Sequence, residues 1–199
     1  MALQGDVREH AAMLEAVGAR PVPVRRIEEL DSIDGLVIPG GESTTISMLL
    51  VSSGLLEPLR ARIASGLPVL GTCAGMILLA TDVVGGRADQ VSLAGIDMAV
   101  RRNAFGRQVE SFECELDVEG VAGGPMHAVF IRAPYVEQVG DGVEVLASVS
   151  LPDAVSSNAS TRPVVCKQGS VIVASFHPEL AGDVRLHAML LGLVRAVAD

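Results

Sequence analysis

The pentapeptide Gly71-Thr72-Cys73-Ala74-Gly75 constrains this chain more than any other stretch. It joins the apolar run Pro68-Val69-Leu70-Gly71-Thr72 to an apolar helical pattern over Ala74–Thr81. A cysteine between small residues at a strand-to-helix turn has the form of a nucleophile elbow, with sulfur in place of the serine oxygen. The turn is sharp, so larger neighbours would clash. A helix starting there aims its N–H groups and positive dipole end at the sulfur, which favours thiolate. A buried cysteine in an ordinary turn has the same local sequence, so the pentapeptide alone leaves both readings open.

The rest of the chain repeats the strand-then-helix theme, the mark of an α/β domain. Leu36-Val37-Ile38 is a fully apolar strand cut off by Pro39-Gly40-Gly41. Asp6 is placed to cap a helix over Val7–Val17, with Gly18 as its stop. Further helices are expected at about Thr45–Val51, Leu56–Ser65 and Asp183–Val197, and a strand at Pro21–Arg25. From about residue 95 the pattern turns to strands: Ile96–Arg101, Val109–Leu116, Ala128–Arg132, Val143–Val149, then a hairpin of Val164–Gln168 and Ser170–Ser175 turning at Gly169. Leu151–Pro163 reads as a Ser/Asn/Pro-rich loop, and its Asn158-Ala159-Ser160 sequon is a chance match in a cytoplasmic protein. The length of 199 residues suits one domain over 1–199. The expected fold is a flavodoxin-like three-layer α/β domain with a mixed, mostly parallel sheet and its active site at the strand ends.

Composition narrows the class of function. Apolar residues make up 49% of the chain, and mean hydropathy is +0.44. Its most apolar stretches, Gly75–Val84 and Leu186–Ala198, are short and carry Asp82, His187 and Arg195, whereas a spanning helix needs about 20 apolar residues in a row. No basic-then-apolar leader opens the sequence, so a cytoplasmic protein is expected. The net charge of −9 and the lack of a basic run argue against nucleic acid as a partner. Three widely spaced cysteines, Cys73, Cys114 and Cys166, suit neither a disulfide framework nor a zinc site. His10, His127 and His187 lack ligand spacing, so no metal is expected.

Two further segments carry chemistry. Ser175-Phe176-His177-Pro178-Glu179 ends an apolar strand, and the residue before proline is pushed into extended geometry. His177 and Glu179 then project to similar sides, so Glu179 can hold an imidazole that takes a proton from Cys73. Pro39-Gly40-Gly41-Glu42-Ser43-Thr44-Thr45 leaves the other apolar strand. Its paired glycines allow N–H groups to face a developing oxyanion, and Ser43 or Thr44 is placed to cap the next helix. The Gly-Lys-Ser/Thr ending of a phosphate loop is missing.

Together these segments resemble the class I (triad) glutamine amidotransferases, whose pattern is Pro-Gly-Gly, Gly-x-Cys-x-Gly and His-Pro-Glu. Longer strings narrow the resemblance to the glutaminase subunits of pyridoxal 5′-phosphate synthase. They are Leu3–His10, Pro39–Thr45, Gly71–Gly75, Arg102–Gln108, Phe130-Ile131-Arg132-Ala133-Pro134 and Phe176–Glu179, and they span the chain nearly end to end.

The resemblance implies a Cys73 nucleophile with His177 and Glu179 as its relay. Glutamine would be bound at Gly41, Glu42, Ser43, Arg102, Ile131 and Arg132, and the oxyanion at the N–H groups of Gly41 and Ala74. It implies no metal or cofactor, and a separate (β/α)₈ synthase subunit in a hetero-oligomeric complex that takes the ammonia and makes pyridoxal 5′-phosphate. Two features depart from that pattern. Only Met1-Ala2-Leu3 stand where the family has a full apolar strand, so part of a first strand is expected to be missing. Leu151–Pro163 is also longer than the family's usual connection. Rival readings are the glutaminase of another synthase (one in histidine biosynthesis, for instance), a catalytically silent binding module, and a cysteine peptidase or general hydrolase on a similar scaffold.

Overall fold

The computed structural model describes residues 1–87, 89–102, 111–151 and 160–198. At its centre are three short apolar strands: β1 (Leu36–Ile38), β2 (Val69–Thr72) and β10 (Val171–Ala174), every residue of them buried. Strands buried on both faces read as unbroken apolar runs, which is how all three appear in the sequence. β1 and β10 flank β2, both parallel to it. The sheet then continues antiparallel through β9 (Ser160–Gln168) to β8 (Glu144–Leu151), giving the order β1-β2-β10-β9-β8.

Side-chain alternation divides the core into two layers. Leu36, Ile38, Val69, Val171 and Val173 face one apolar cluster, while Val37, Leu70, Ile172 and Ala174 face the other. The first layer is packed by α3 (Ser43–Ser52), α4 (Leu56–Ala64) and α5 (Ala74–Leu79), through Ile46, Leu50, Leu59, Ile63 and Leu78. The second is packed by α6 (Arg185–Ala198) through Leu186 and Leu190, and by α1 (Val7–Ala16) through Leu14. It also receives the hairpin of β5 (Ser111–Leu116) and β6 (Met126–Ile131), whose Phe130 packs on Phe176 with ring centroids 5.5 Å apart. The result is a three-layer α/β fold with a mixed sheet.

Several local expectations change. Ala74–Thr81 is not one helix: α5 stops at Leu79, and Ala80–Val84 form β3, parallel to β4 (Ile96–Arg101). β-Branched Thr81, Val83 and Val84 favour that switch to extended backbone. β4 also pairs antiparallel with β7 (Tyr135–Val139), which the pattern reading missed together with the single turn α2 (Ile27–Leu30). Pro21–Arg25 is not a strand; two prolines deny it ladder donors, and its Val24 carbonyl accepts the Ala2 N–H at 2.8 Å. Met1 to Leu3 likewise form no strand, although the Met1 amine donates to the Val37 carbonyl. Leu151–Pro163 is not wholly a loop, since Leu151 ends β8 and Ser160–Pro163 begin β9. The 152–159 connection with Asn158, the 103–108 part of the Arg102–Gln108 string and the start of Val109–Leu116 lie outside the described residues.

Candidate active site

Parallel pairing of β1, β2 and β10 sends all three strands out of the sheet at one edge, and each exit carries one chemistry-bearing segment. Cys73 follows β2 directly. Its φ of 48° and ψ of −102° lie where non-glycine residues are rare, as a nucleophile elbow demands. The Cys73 N–H donates to the Ala174 carbonyl at 2.8 Å, pinning the elbow to β10. Gly75 lets the elbow close against β1, because a Cβ there would lie 2.1 Å from the Ile38 carbonyl oxygen.

His177 follows β10 and is fixed by its N–H to the Val129 carbonyl of β6, at 2.9 Å. Its imidazole lies between Cys73, with which it hydrogen-bonds, and Glu179, whose Oε1 is 2.7 Å from Nδ1. Burial would lower the His177 pKa, but the bonds to Cys73 and Glu179 outweigh it and raise the value to about 10. Burial likewise works to raise the Glu179 pKa, yet the His177 bond and the nearby His10 and His177 charges hold it below the usual range. The sequence-based expectation that His177 and Glu179 share one side of the chain is met.

The third segment leaves β1 and closes over the imidazole. A Cβ on Gly40 would sit 2.4 Å from Cε1 of His177, so only glycine permits this approach. The Gly40 N–H donates to Thr72 Oγ1 at 3.1 Å, and the Glu42 N–H donates to Gln4 Oε1 at 2.8 Å. Neither Ser43 nor Thr44 caps α3. Glu42 does so, accepting from the Thr44 and Thr45 N–H groups at 3.2 and 2.6 Å, because its longer side chain folds back onto both donors. Arg102 donates to Glu42 Oε1 at 3.2 Å, to Thr44 Oγ1 at 3.1 Å and to Gln90 Oε1 at 2.8 Å. Glu42 and Arg102 therefore meet at one rim of the site, with buried Ser43 opening α3 and Gly41 in the adjoining loop. Ala74 opens α5 beside Cys73. Ile131 ends β6 and Arg132 follows it, two and three residues beyond the Val129 that holds His177; both are exposed, and Arg132 has a φ of 44°.

Sequence reasoning missed four contributors behind the triad. Asp6 makes no capping bond to α1 and instead points Oδ2 at Nδ1 of His177, 3.6 Å away. Burial and the Glu179 charge raise its pKa, with His177 opposing. His10 is one helical turn further along α1, on the same face, and reaches Thr72 Oγ1 at 3.1 Å and Glu179 Oε2 at 3.4 Å. His187 of α6 backs it, with Nε2 2.9 Å from Nδ1 of His10. The Asp6–His10 spacing of four on a predicted helix was the available signal.

Among the described residues, the one set of three whose ligand atoms lie within 4.8 Å of one another is Asp6, His177 and Glu179. A cation there would displace the proton joining His177 to Glu179, so the set reads as the relay itself. An apolar cavity of about 420 Å³ between α1, α6 and the Pro21–Val24 segment has no cysteine in its lining.

The chain matches the family model described as the SNO glutamine amidotransferase family over residues 1–196. It is 60% identical over 196 residues to the pyridoxal 5′-phosphate synthase subunit PdxT of Frankia alni, covering 98% of this chain and 94% of that one. The protein of the same name from Nocardia farcinica is 59% identical, covering 100% of this chain and 86% of its own. A solved structure described as a glutamine amidotransferase superposes with a TM-score of 0.85 at 47% identity, covering 96% of this chain and 95% of that one. PurLQS from Thermotoga maritima, 15% identical with a TM-score of 0.63, covering 100% of this chain and 96% of its own, shares the fold.

Proposed function

Because the chain belongs to the SNO glutamine amidotransferase family, we propose that it hydrolyses L-glutamine to L-glutamate and ammonia and passes the ammonia to a synthase subunit that makes pyridoxal 5′-phosphate. The observation that carries the chemistry is the His177 imidazole, held between the Cys73 sulfur and the Glu179 carboxylate at the end of the parallel strands. The identity to PdxT proteins over nearly the whole chain supports the choice of partner.

In this reading the Cys73 sulfur, having given its proton to His177, attacks the side-chain amide carbon of glutamine. The carbonyl oxygen gains the electron pair and is met by the N–H groups of Gly41 and Ala74. His177 returns the proton to the leaving nitrogen, the C–N bond breaks, and ammonia departs from a γ-glutamyl thioester. Water then gives a proton to His177 as it attacks the thioester carbon, and the C–S bond breaks to release glutamate and regenerate the pair. Arg102 and Arg132 supply charge for the substrate carboxylate, Glu42 for its ammonium group, and Ser43 and Ile131 complete the wall.

The chain acts as one glutaminase domain within a hetero-oligomeric complex. Among the described residues no helix is long and apolar enough to cross a membrane, and the three cysteines are unpaired, which suits reducing cytoplasm. The test is ammonia release with and without the synthase subunit. Cys73→Ala should abolish it while leaving the fold intact; turnover by that variant would refute the mechanism.

A further inference from the structure

The triad does not end at Glu179. Its carboxylate gives Oε1 to His177, while Oε2 is fully buried without a hydrogen-bond partner among the described residues, and Nε2 of His10 lies 3.4 Å from it. Nε2 of His10 faces Oε2 at 3.4 Å and Thr72 Oγ1 at 3.1 Å. These neighbours fix the tautomer. A lone pair on Nε2 would oppose the carboxylate, so the proton sits on Nε2, and Nδ1 accepts from Nε2–H of His187 at 2.9 Å. Nδ1 of His187 is then a bare acceptor, consistent with its having no partner among the described residues. Leaving an acceptor unpaired avoids both a stranded buried N–H and a lone pair aimed at the carboxylate.

We propose that His10, held by His187 and Thr72, is a positioning residue of the reaction: the positive end of its Nε2–H dipole, beside the otherwise unpartnered second oxygen of Glu179, keeps that carboxylate from turning and thereby sets the orientation of His177. This rests on the glutaminase reading of the triad. A clamp matters here because two carboxylates compete for one Nδ1–H. Glu179 lies 2.7 Å from it and Asp6 3.6 Å, so a Glu179 free to turn would release the imidazole toward Asp6. The same histidine bonds Thr72 Oγ1, which also accepts the Gly40 N–H, so acid and oxyanion loop are set from one point. Burial lowers the pKa of both His10 and His187 to about 4. Both are therefore neutral at pH 7, and Glu179 keeps its full charge to stabilise the imidazolium of His177.

The test uses side-chain reach. A glutamine amide extends to the Nε2 position of histidine, whereas an asparagine amide reaches only Nδ1. In the complex with the synthase subunit, His10→Asn should lower kcat about ten- to a hundredfold with KM for glutamine changed less than about twofold, since His10 touches no substrate. His10→Gln should restore most of kcat. In a Glu179→Gln background, His10→Asn should cost no more than about twofold further, because its effect passes through Glu179. Equal kcat for the Asn and Gln variants, or the same fold loss in both backgrounds, would overturn the proposal. ¹⁵N NMR of the histidines in the unmutated protein needs no variant to fold: a proton on Nδ1 of His10 would also overturn it. Cys73→Ala run alongside separates the two failures, since activity there would remove the triad itself.

Discussion

Acidification from pH 7 to pH 5 should weaken the fold, and the buried histidines and the buried Met1 amine set the size of the loss. His10 and His187 each have a pKa near 4 when folded, against 6.5 for an ordinary histidine. A histidine with a depressed pKa takes up its proton more readily when unfolded, so its contribution is complete above pH 6.5 and is lost as pH falls toward 4. Between pH 7 and 5 that loss is about 2 kcal/mol for each. His177 acts oppositely. With a folded pKa near 10, its contribution is complete below 6.5 and disappears only as pH rises through 10, which returns somewhat less than about 1 kcal/mol on acidification. Asp6, its pKa raised by burial and the Glu179 charge, works in the same sense as His177. Glu179, held low, loses its contribution chiefly below pH 4.5. These side chains together give a fall of roughly 2–3 kcal/mol, and the Met1 amine, its pKa lowered to about 5 by burial, adds about 2 kcal/mol in the same direction. Urea unfolding followed by circular dichroism at pH 7, 6 and 5 measures it directly. His10→Gln with His187→Leu should reduce the fall by the histidine share. A stability that is constant or higher at pH 5 would refute the neutral, buried pair.

Gly75→Ala should cost on the order of 1–3 kcal/mol or more, read as a lowered Tm, because its Cβ meets the Ile38 carbonyl oxygen at 2.1 Å and the backbone must move. In the native protein a thiol reagent at neutral pH should modify Cys73 and leave Cys166 untouched. Burial leaves Cys166 fully enclosed and pushes its pKa up to about 12, and peptide mass mapping would distinguish the two.

The fold was legible wherever a segment's own pattern decided its structure. Leu36–Ile38 and Val171–Ala174 are apolar at every position and Val69–Thr72 departs from that only at Gly71 and Thr72, the pattern of strands buried on both faces. Gly169 marked a hairpin by turn chemistry alone, and it takes a φ of 55°. Misreadings fall where a distant partner decided. Ala80–Val84 continue an apolar helix in sequence, yet β4 offers a ladder and the backbone extends to take it. Pro21–Arg25 alternates like a strand, but no neighbour supplies a ladder there. Tyr135–Val139 became legible only through its pairing with β4.

The site divides along the same line. Cys73, His177 and Glu179 each stand in a short string that makes them candidates before any geometry, and the structure puts His177 against Glu179. Asp6, His10, Thr72 and His187 have no such string, because what they do depends on a meeting of α1, β2 and α6 that no spacing in the chain encodes. Asp6 looked like a cap because aspartate before a helix usually is one, and here the nearer electrostatic demand of His177 wins. His10 looked idle because metal ligation was the role tested for it. Its partners are 62, 169 and 177 residues away in the chain: Thr72, Glu179 and His187. A buried histidine with three polar partners is costly to satisfy and carries little packing advantage over an apolar residue of its size. That cost is intelligible at the back of a carboxylate whose orientation, in the proposed reaction, governs a proton transfer.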